Sequence, residues 1–400
     1  MDRAQLWLTM ALPVFAWGIY GQLRKHFSPS MDTVSFTVIY VIGQAILTML
    51  AWIWFGVHQE LDLLRNVSGQ NVTVVLLGGF SVLFADFFSL AAAERMSPST
   101  ASALYCLVSA AIGIPLDFLV EQKEHKEDNH SNGSLLMLGT GLILSGLIIL
   151  ILAEYLIPEP CRTEKSFLTP RNIYPNTPRA ISARSSARYD AIADCERVHL
   201  EPIAATANLD SAIPTGCALG FAAGGFNSVW SVLCAVASCS ASPFTSPPTI
   251  LLVFNVGQLA ALPFIVVLFG HFRVLGDGFH APSEAGAISQ PTDKWSHLLR
   301  IPSAEIWWGL AIGGVVGMGY WGYFASTLKQ SESQATVPPS VAYAFAFCDL
   351  LVSLYASVFV FGDYGDWRNI VAGGRLCMVL AGGTACYVAG ICVLALQVGE

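Results

Sequence analysis

ATVPPSVAYAFAFCDLLVSLYASVFVFGDY, residues 335–364, holds about a bilayer's thickness of apolar side chains. Pro338-Pro339 opens it, Gly362-Asp363 closes it, and one carboxylate, Asp349, sits near its middle. An Asp at the centre of a bilayer costs roughly 2.5–3.5 kcal/mol on insertion scales, so a chain that keeps one there has a partner or a use for it. MSPSTASALYCLVSAAIGIPLDFLVEQKE, residues 96–124, echoes that stretch. Each begins with Pro, then Ser-x-Ala-x-Ala (Ser99, Ala101, Ala103 against Ser340, Ala342, Ala344), then a Cys (Cys106, Cys348), and each ends at a carboxylate (Glu121, Asp363). Two related halves around a polar midplane is the layout of a secondary transporter.

The composition points the same way. Apolar residues make up 54% of 400 and charged ones 12%, with a mean hydropathy of +0.57. A soluble domain carries about 25% charged residues, so the chain reads as an integral membrane protein. The net charge of −8 resides in loops. No basic block of the kind that tracks a nucleic-acid backbone is present, and the ten cysteines show no C-x-x-C or zinc spacing. All eight histidines fall in loops or at their edges, which speaks against an intramembrane His relay or a His-bound metal. The first apolar run, Gln5 to Leu23, lacks a basic n-region and a small-x-small cleavage site and reads as a retained span.

Windows of about 20 apolar residues number about ten: 5–23, 34–57, 73–93, 99–120, 135–157, 213–237, 248–270, 305–328, 340–361 and 370–397. The Pro-, Ser- and Arg-rich segment 158–212 divides them five and five and reads as a largely disordered linker. The expected organisation is a first repeat over 1–157, that linker, and a second repeat over 213–400. A second polar segment, 271–304, joins spans seven and eight. Gly43-Gln44 in span two matches Gly257-Gln258 in span seven, and Phe55-Gly56 matches Phe269-Gly270, at one constant offset. An odd number of spans per half forces the halves into opposite orientations. The predicted fold is therefore an all-α membrane protein with an inverted 5+5 repeat.

Two signals bear on orientation. The side holding both termini carries five Lys and Arg (Arg3, Arg65, Lys123, Lys126, Lys329), and the other side carries the remaining fifteen of the twenty. Seven of those fifteen lie in 158–212; without them the bias is eight to five. The positive-inside rule then places the central loop in the cytosol and both termini opposite. The four N-x-[ST] sequons, at Asn66, Asn71, Asn129 and Asn132, fall on that non-cytosolic side and make these asparagines candidate glycosylation sites.

The chemistry-bearing positions lie within the spans. Asp86 and Asp349 are mid-span carboxylates, readable as structural hydrogen-bonding groups or as substrate binders and proton carriers, because burial disfavours the charged form. Asp117, after Pro115 near the end of span four, reads as a group within reach of water. Asn227 and Trp230 in span six, Tyr320 in span eight and Trp17 in span one are an amide and three aromatic faces suited to a flat, polar, mostly uncharged ligand. An interfacial aromatic belt is the alternative, and it fits Trp307 and Trp308 better than Tyr320. Gln44 and Gln258 read equally as substrate contacts or as hydrogen bonds across helices. Gly216, Gly220 and Gly224, and again Gly309, Gly313 and Gly317, follow at i+4 and let helix backbones approach closely, as static packing or as a sliding surface. No G-x-x-x-x-G-K-[ST], H-E-x-x-H or G-x-S-x-G occurs, and no span carries several arginines. An enzyme and a voltage sensor are both disfavoured, and no cofactor or metal is called for.

These residues resemble the drug/metabolite transporter superfamily and, within it, the ureide permease family. The likeness rests on GGVVGMGYWGYF (313–324), the short polar linker after it, and a following span that ends Phe361-Gly362-Asp363-Tyr364. The family's similar ending usually carries Glu where this chain has Asp363. Span four running into LDFLVEQKEH and the long loop between spans five and six also fit. The resemblance implies a ten-helix, two-half secondary carrier that moves allantoin, uracil and similar nitrogen heterocycles with protons and without ATP hydrolysis. It also implies cytosolic termini in many superfamily members, against the charge count here. The nucleotide-binding-like motif described for the family's central loop is absent from 158–212. The expectation is a transporter of a small polar organic solute such as a nucleobase or ureide. The alternatives are a sugar or nucleotide-sugar carrier of the same superfamily, or a non-transporting membrane receptor. The expected partners are the solute, the bilayer, protons and a second copy of the chain, and not nucleic acid.

Overall fold

In lipid a backbone satisfies its N–H and C=O groups only within a helix or a closed barrel. Every element among the described residues is helical. The computed structural model describes residues 3–29, 31–96, 98–124, 133–155, 203–239, 244–271, 301–328, 337–361 and 375–396. In chain order these form α1 (Arg3–Phe27), α2 (Thr33–Phe55), α3 (Val57–Arg65), α4 (Gly69–Ala93), α5 (Pro98–Glu124), α6 (Gly133–Tyr155), α7 (Ile203–Cys239), α8 (Pro247–Ile265), α9 (Ser303–Thr327), α10 (Pro339–Ala346), α11 (Asp349–Tyr355) and α12 (Arg375–Ala395). α7 begins inside the segment read as linker, whose residues 158–202 lie outside the described set, as do 272–300.

Among the described residues seven helices, α1, α2 and α4 to α8, are long and apolar enough to cross a membrane. The chain is a multi-pass helical membrane protein. α9 has comparable length at 25 residues, but six glycines dilute its hydropathy. α10 with α11, and Met378–Leu394 of α12, are shorter apolar segments. α3 is an amphipathic helix that a search for apolar windows passes over. It follows Gly56, whose φ of +95° is open to glycine at little cost.

The helices pair tightly. α4 lies along α7 and α8, α9 along α1 and α2, and α5 along α7 and α6. α11 lies along α1, α6 against α12, and α2 against α8. Glycines make the closest of these approaches. A Cβ on Gly43 would run into the Leu310 carbonyl of α9, and one on Gly313 into the Tyr40 carbonyl of α2. The same relation ties Gly257 to Leu76 O and Gly79 to Phe254 O across α8 and α4. In each Gly-Gln pair the glycine is therefore the helix-crossing residue. The staircase of α7 faces α5, with Gly224 against Val108 and the Tyr105 carbonyl.

Span nine, read as one run over 340–361, is broken. Tight turns (Cys348 N–H to Phe345 O, 3.0 Å; Leu351 N–H to Cys348 O, 3.0 Å) separate α10 from α11. A break in lipid needs new partners for the freed backbone groups, and the Tyr387 hydroxyl of α12 donates to Phe347 O.

Polar clasps close both ends of the bundle. At one end the Arg24 guanidinium pairs with Glu94 at 2.5 Å, donates to Thr33 Oγ1 at 3.0 Å and lies 5.2 Å from the Phe36 ring centroid, while Thr33 also donates to Glu94. At the other end Glu60 of α3 is buried and accepts from Ser246 and Thr249, both at 2.5 Å, at the start of α8. Nearby, Trp52 Nε1 donates to Pro248 O at 2.9 Å. Glu60→Ala strands two buried hydroxyls and removes hydrogen bonds to a carboxylate worth about 1.5–3 kcal/mol each. The expected outcome is an unfolding midpoint lowered by several degrees in detergent, with Glu60→Gln retaining much of the loss.

Candidate functional site

Several helices send a residue pair spaced three or four apart into the centre of the bundle, the spacing that puts two side chains on one helix face. The pairs are Trp17 and Tyr20 from α1, Asp86 and Ser89 from α4, Ser102 and Tyr105 from α5, Asn227 and Trp230 from α7, and Asp349 and Ser353 from α11. Tyr40 of α2 and Tyr320 of α9 complete the polar wall, and Val316 and Leu350 add apolar surface. Gly18 makes room for this. A Cβ there would sit 2.5 Å from the Asp349 carbonyl and 2.6 Å from Val352 Cβ, so α1 and α11 meet at backbone distance beside Trp17.

The two carboxylates have different surroundings. Asp86 is buried, and its Oδ2 accepts from Tyr40 at 2.8 Å and from Tyr320 at 3.4 Å. Asp349 is half-buried at the first position of α11, with the Cys106 thiol 3.8 Å from Oδ1. Tyr20 stands within electrostatic reach of both. Asn227 is fixed on three sides. Trp230 Nε1 donates to its Oδ1 at 2.5 Å, and its Nδ2 donates to Tyr343 Oη at 2.7 Å and to Ser109 Oγ at 3.1 Å. Trp17, Trp230 and Tyr320 form an aromatic corner with ring centroids 5.1–6.2 Å apart. Trp17 Nε1 is buried against Gly319 of α9 and has no acceptor among the described residues.

The cavity measures about 30 Å³, room for roughly one water, whereas ligand pockets run to about 300–1,000 Å³. Its wall offers carboxyls, phenols, hydroxyls and an amide, and, among the described residues, no Lys or Arg. Such a set can hydrogen-bond the edge of an uncharged heterocycle and hold or pass protons, but it offers nothing to neutralise a phosphate.

Of the residues singled out from sequence, the structure brings Asp86, Asp349, Asn227, Trp230, Tyr320 and Trp17 together at this cavity. Gln44 and Gln258 do not line it. Both are buried at the helix crossings, and neither side-chain amide has a hydrogen-bond partner among the described residues. Asp117 does not reach water. It is 0% exposed, because α7 and α10 pack over its face of α5. Among the sequon asparagines, Asn66 is exposed at the end of α3, whereas Asn71 is buried in the first turn of α4, out of reach of a modifying enzyme in this fold. Asn129 and Asn132 lie outside the described residues. Trp307 and Trp308 are exposed at the start of α9.

Sequence reading missed Tyr20, Tyr40, Tyr105 and the serines. Pairing at i+3 with Trp17 and Asp86 would have found Tyr20 and Ser89. Tyr40 lies at the Gly43–Gly257 offset from Phe254, which also points inward.

No protein-family profile and no curated protein matches the chain. A solved structure described only as "Crystal structure of protein" superposes on 99% of this chain and 98% of its own, with a TM-score of 0.52 and 14% sequence identity. The two share a fold, and the likeness extends no further.

Proposed function

We propose that this protein is a secondary transporter of the drug/metabolite transporter type, carrying a small, flat, polar solute of the nucleobase or ureide class by alternating access. Asp86 and Asp349 bind the solute and exchange a proton with it or alongside it. The observation that carries the reading is the central cavity, where two intramembrane carboxyls meet an aromatic corner, with no cation among the described wall residues. A volume of about 30 Å³ is too small for such a solute, so loading requires the helices to part.

An inverted 5+5 repeat of ten spans is part of the proposal. Exchanging each span for the one five further on maps α1–α9 onto α7–α4, α2–α9 onto α8–α4, and α5–α7 onto α11–α1, and each of these pairs is in contact. The crossings Gly43–Leu310 and Tyr40–Gly313 exchange with Gly257–Leu76 and Phe254–Gly79 in the same way. Both patterns support the reading. The charge count supports a cytosolic central segment, with Asn66 on the other side.

The test is uptake of labelled uracil, allantoin, a neutral hexose and a nucleotide sugar by cells expressing the chain, at two external pH values. Saturable uptake of a heterocycle, faster at the lower pH, is the expected result. Preference for the hexose would shift the reading to a sugar carrier. No uptake of any of the four would overturn it.

A further inference from the structure

Asp117 lies outside the cavity wall, and the proposed function leaves it unused. Its side chain is 0% exposed, and neither carboxyl oxygen has a hydrogen-bond partner among the described residues. One turn along α5 lies Glu121, also buried, which accepts from the Ser340 N–H at 2.6 Å and the Ser340 Oγ at 2.9 Å in the first turn of α10. Carboxyls at i and i+4 share a helix face, and two like charges in so dry a place are not both held.

The division between them follows from their partners. Two donors, one of them a backbone N–H at a helix start, satisfy Glu121. Asp117 is the member with no donor among the described residues. Ser231 of α7 faces it, and the Ser231 hydroxyl hydrogen is committed to Ser228 O at 3.0 Å, so its oxygen is free to accept from a protonated carboxyl. The titratable groups facing Asp117 among the described residues are Glu121, Cys234 of α7, Tyr323 of α9 and Tyr343 of α10, and none is a cation. Ser231 also faces Tyr343, whose hydroxyl accepts from Asn227 in the cavity wall at 2.7 Å. Ser231 and Tyr343 thus lie between Asp117 and the cavity wall.

We propose that Asp117 is a proton-holding site separate from the solute cavity, filled and emptied through Glu121 and joined to the cavity wall by Ser231 and Tyr343. The proposal rests on the transport reading only for the use made of the proton.

The test is infrared spectroscopy of the purified chain in phosphatidylcholine vesicles at neutral pH, reading the C=O stretch of protonated carboxylic acid. A band present in the wild type and missing from Asp117→Asn is expected. After transfer to D2O its exchange is expected to slow about 100-fold in Glu121→Gln, the scale on which a positioned proton-transfer group acts. Asp117→Leu is expected to fold about as well as the wild type, because the one bond it gives up, to Ser231, joins two neutral groups and is offset by the burial of an apolar side chain. An Asp117→Asn spectrum identical to the wild type, unchanged exchange in Glu121→Gln, or an Asp117→Leu chain that does not fold would each overturn the proposal. None of these readouts needs a solute, so failed uptake with a positive spectrum would sink the transport reading alone.

Discussion

Asp349→Asn and Asp86→Asn are each expected to abolish acid-stimulated, concentrative uptake while leaving solute exchange between the two sides of the membrane measurable. Asparagine keeps the shape and a carbonyl acceptor of aspartate but cannot take up a proton. Loss of a positioned proton carrier costs about 10²- to 10⁴-fold in the step it serves, so net accumulation falls to background. The two variants are expected to differ in other respects. In Asp86→Asn the carbonyl can still accept from Tyr40 and Tyr320, which both bond one carboxyl oxygen, but the N–H2 group puts two donors in a buried site where the other oxygen stood. Asp349→Asn gives up only a long thiol contact in a half-buried place. Asp86→Asn is therefore expected to lower the unfolding midpoint and Asp349→Asn to leave it nearly unchanged. Parallel uptake and counterflow measurements at two external pH values check the first point, and thermal unfolding in detergent the second. If both variants accumulate solute with wild-type pH dependence, neither carboxyl carries a proton.

Gly313→Val is expected to yield no correctly folded protein, and Gly79→Val the same. Each glycine lies against a neighbouring helix's carbonyl, that of Tyr40 for Gly313 and of Phe254 for Gly79. The obstacle is backbone and has no rotamer to yield. Overpacking a core costs about 1–3 kcal/mol when side chains can shift, and more when they cannot. Here whole helices must part, with loss of contacts along α2–α9 or α4–α8. Gly314→Val is the control, because nothing lies within 4 Å of a Cβ at that position. Of the three variants, Gly314→Val alone should match the wild type in monodisperse yield and unfolding midpoint.

What could be read in advance follows from what is expensive in lipid. A carboxylate or amide inside an apolar run stands out because hydrocarbon penalises it, which is why Asp86, Asp349 and Asn227 were visible. Tyr20, Tyr40 and Ser89 were not, because phenols and hydroxyls cost little in a helix that can bond them internally, and nothing local marks which face they take. The dipeptide repeat exposed the Gly-Gln positions but not their division of labour. The backbone approach belongs to glycine, and the amides of Gln44 and Gln258 sit beside it unpaired. The burial of Asp117 depends on α7 and α10 covering it, which distance along the chain does not encode. The break at Phe347–Cys348 was illegible for a similar reason, since it depends on a hydroxyl from α12. The apolar windows, by contrast, report a requirement that lipid imposes on every spanning segment alone.

That break has a mechanical consequence. It leaves an eight-residue piece and a second that runs from Asp349 through a π-helical turn to Val360, each too short to span a bilayer and each held by a different neighbour: α10 by α5 through Glu121, and α11 by α1 at Gly18. A rigid rod through the membrane would force its two extremities to move in step. A jointed one lets the extremity bearing Ser340 tilt with α5 while the other stays packed on α1, so the two ends of this span need not move together.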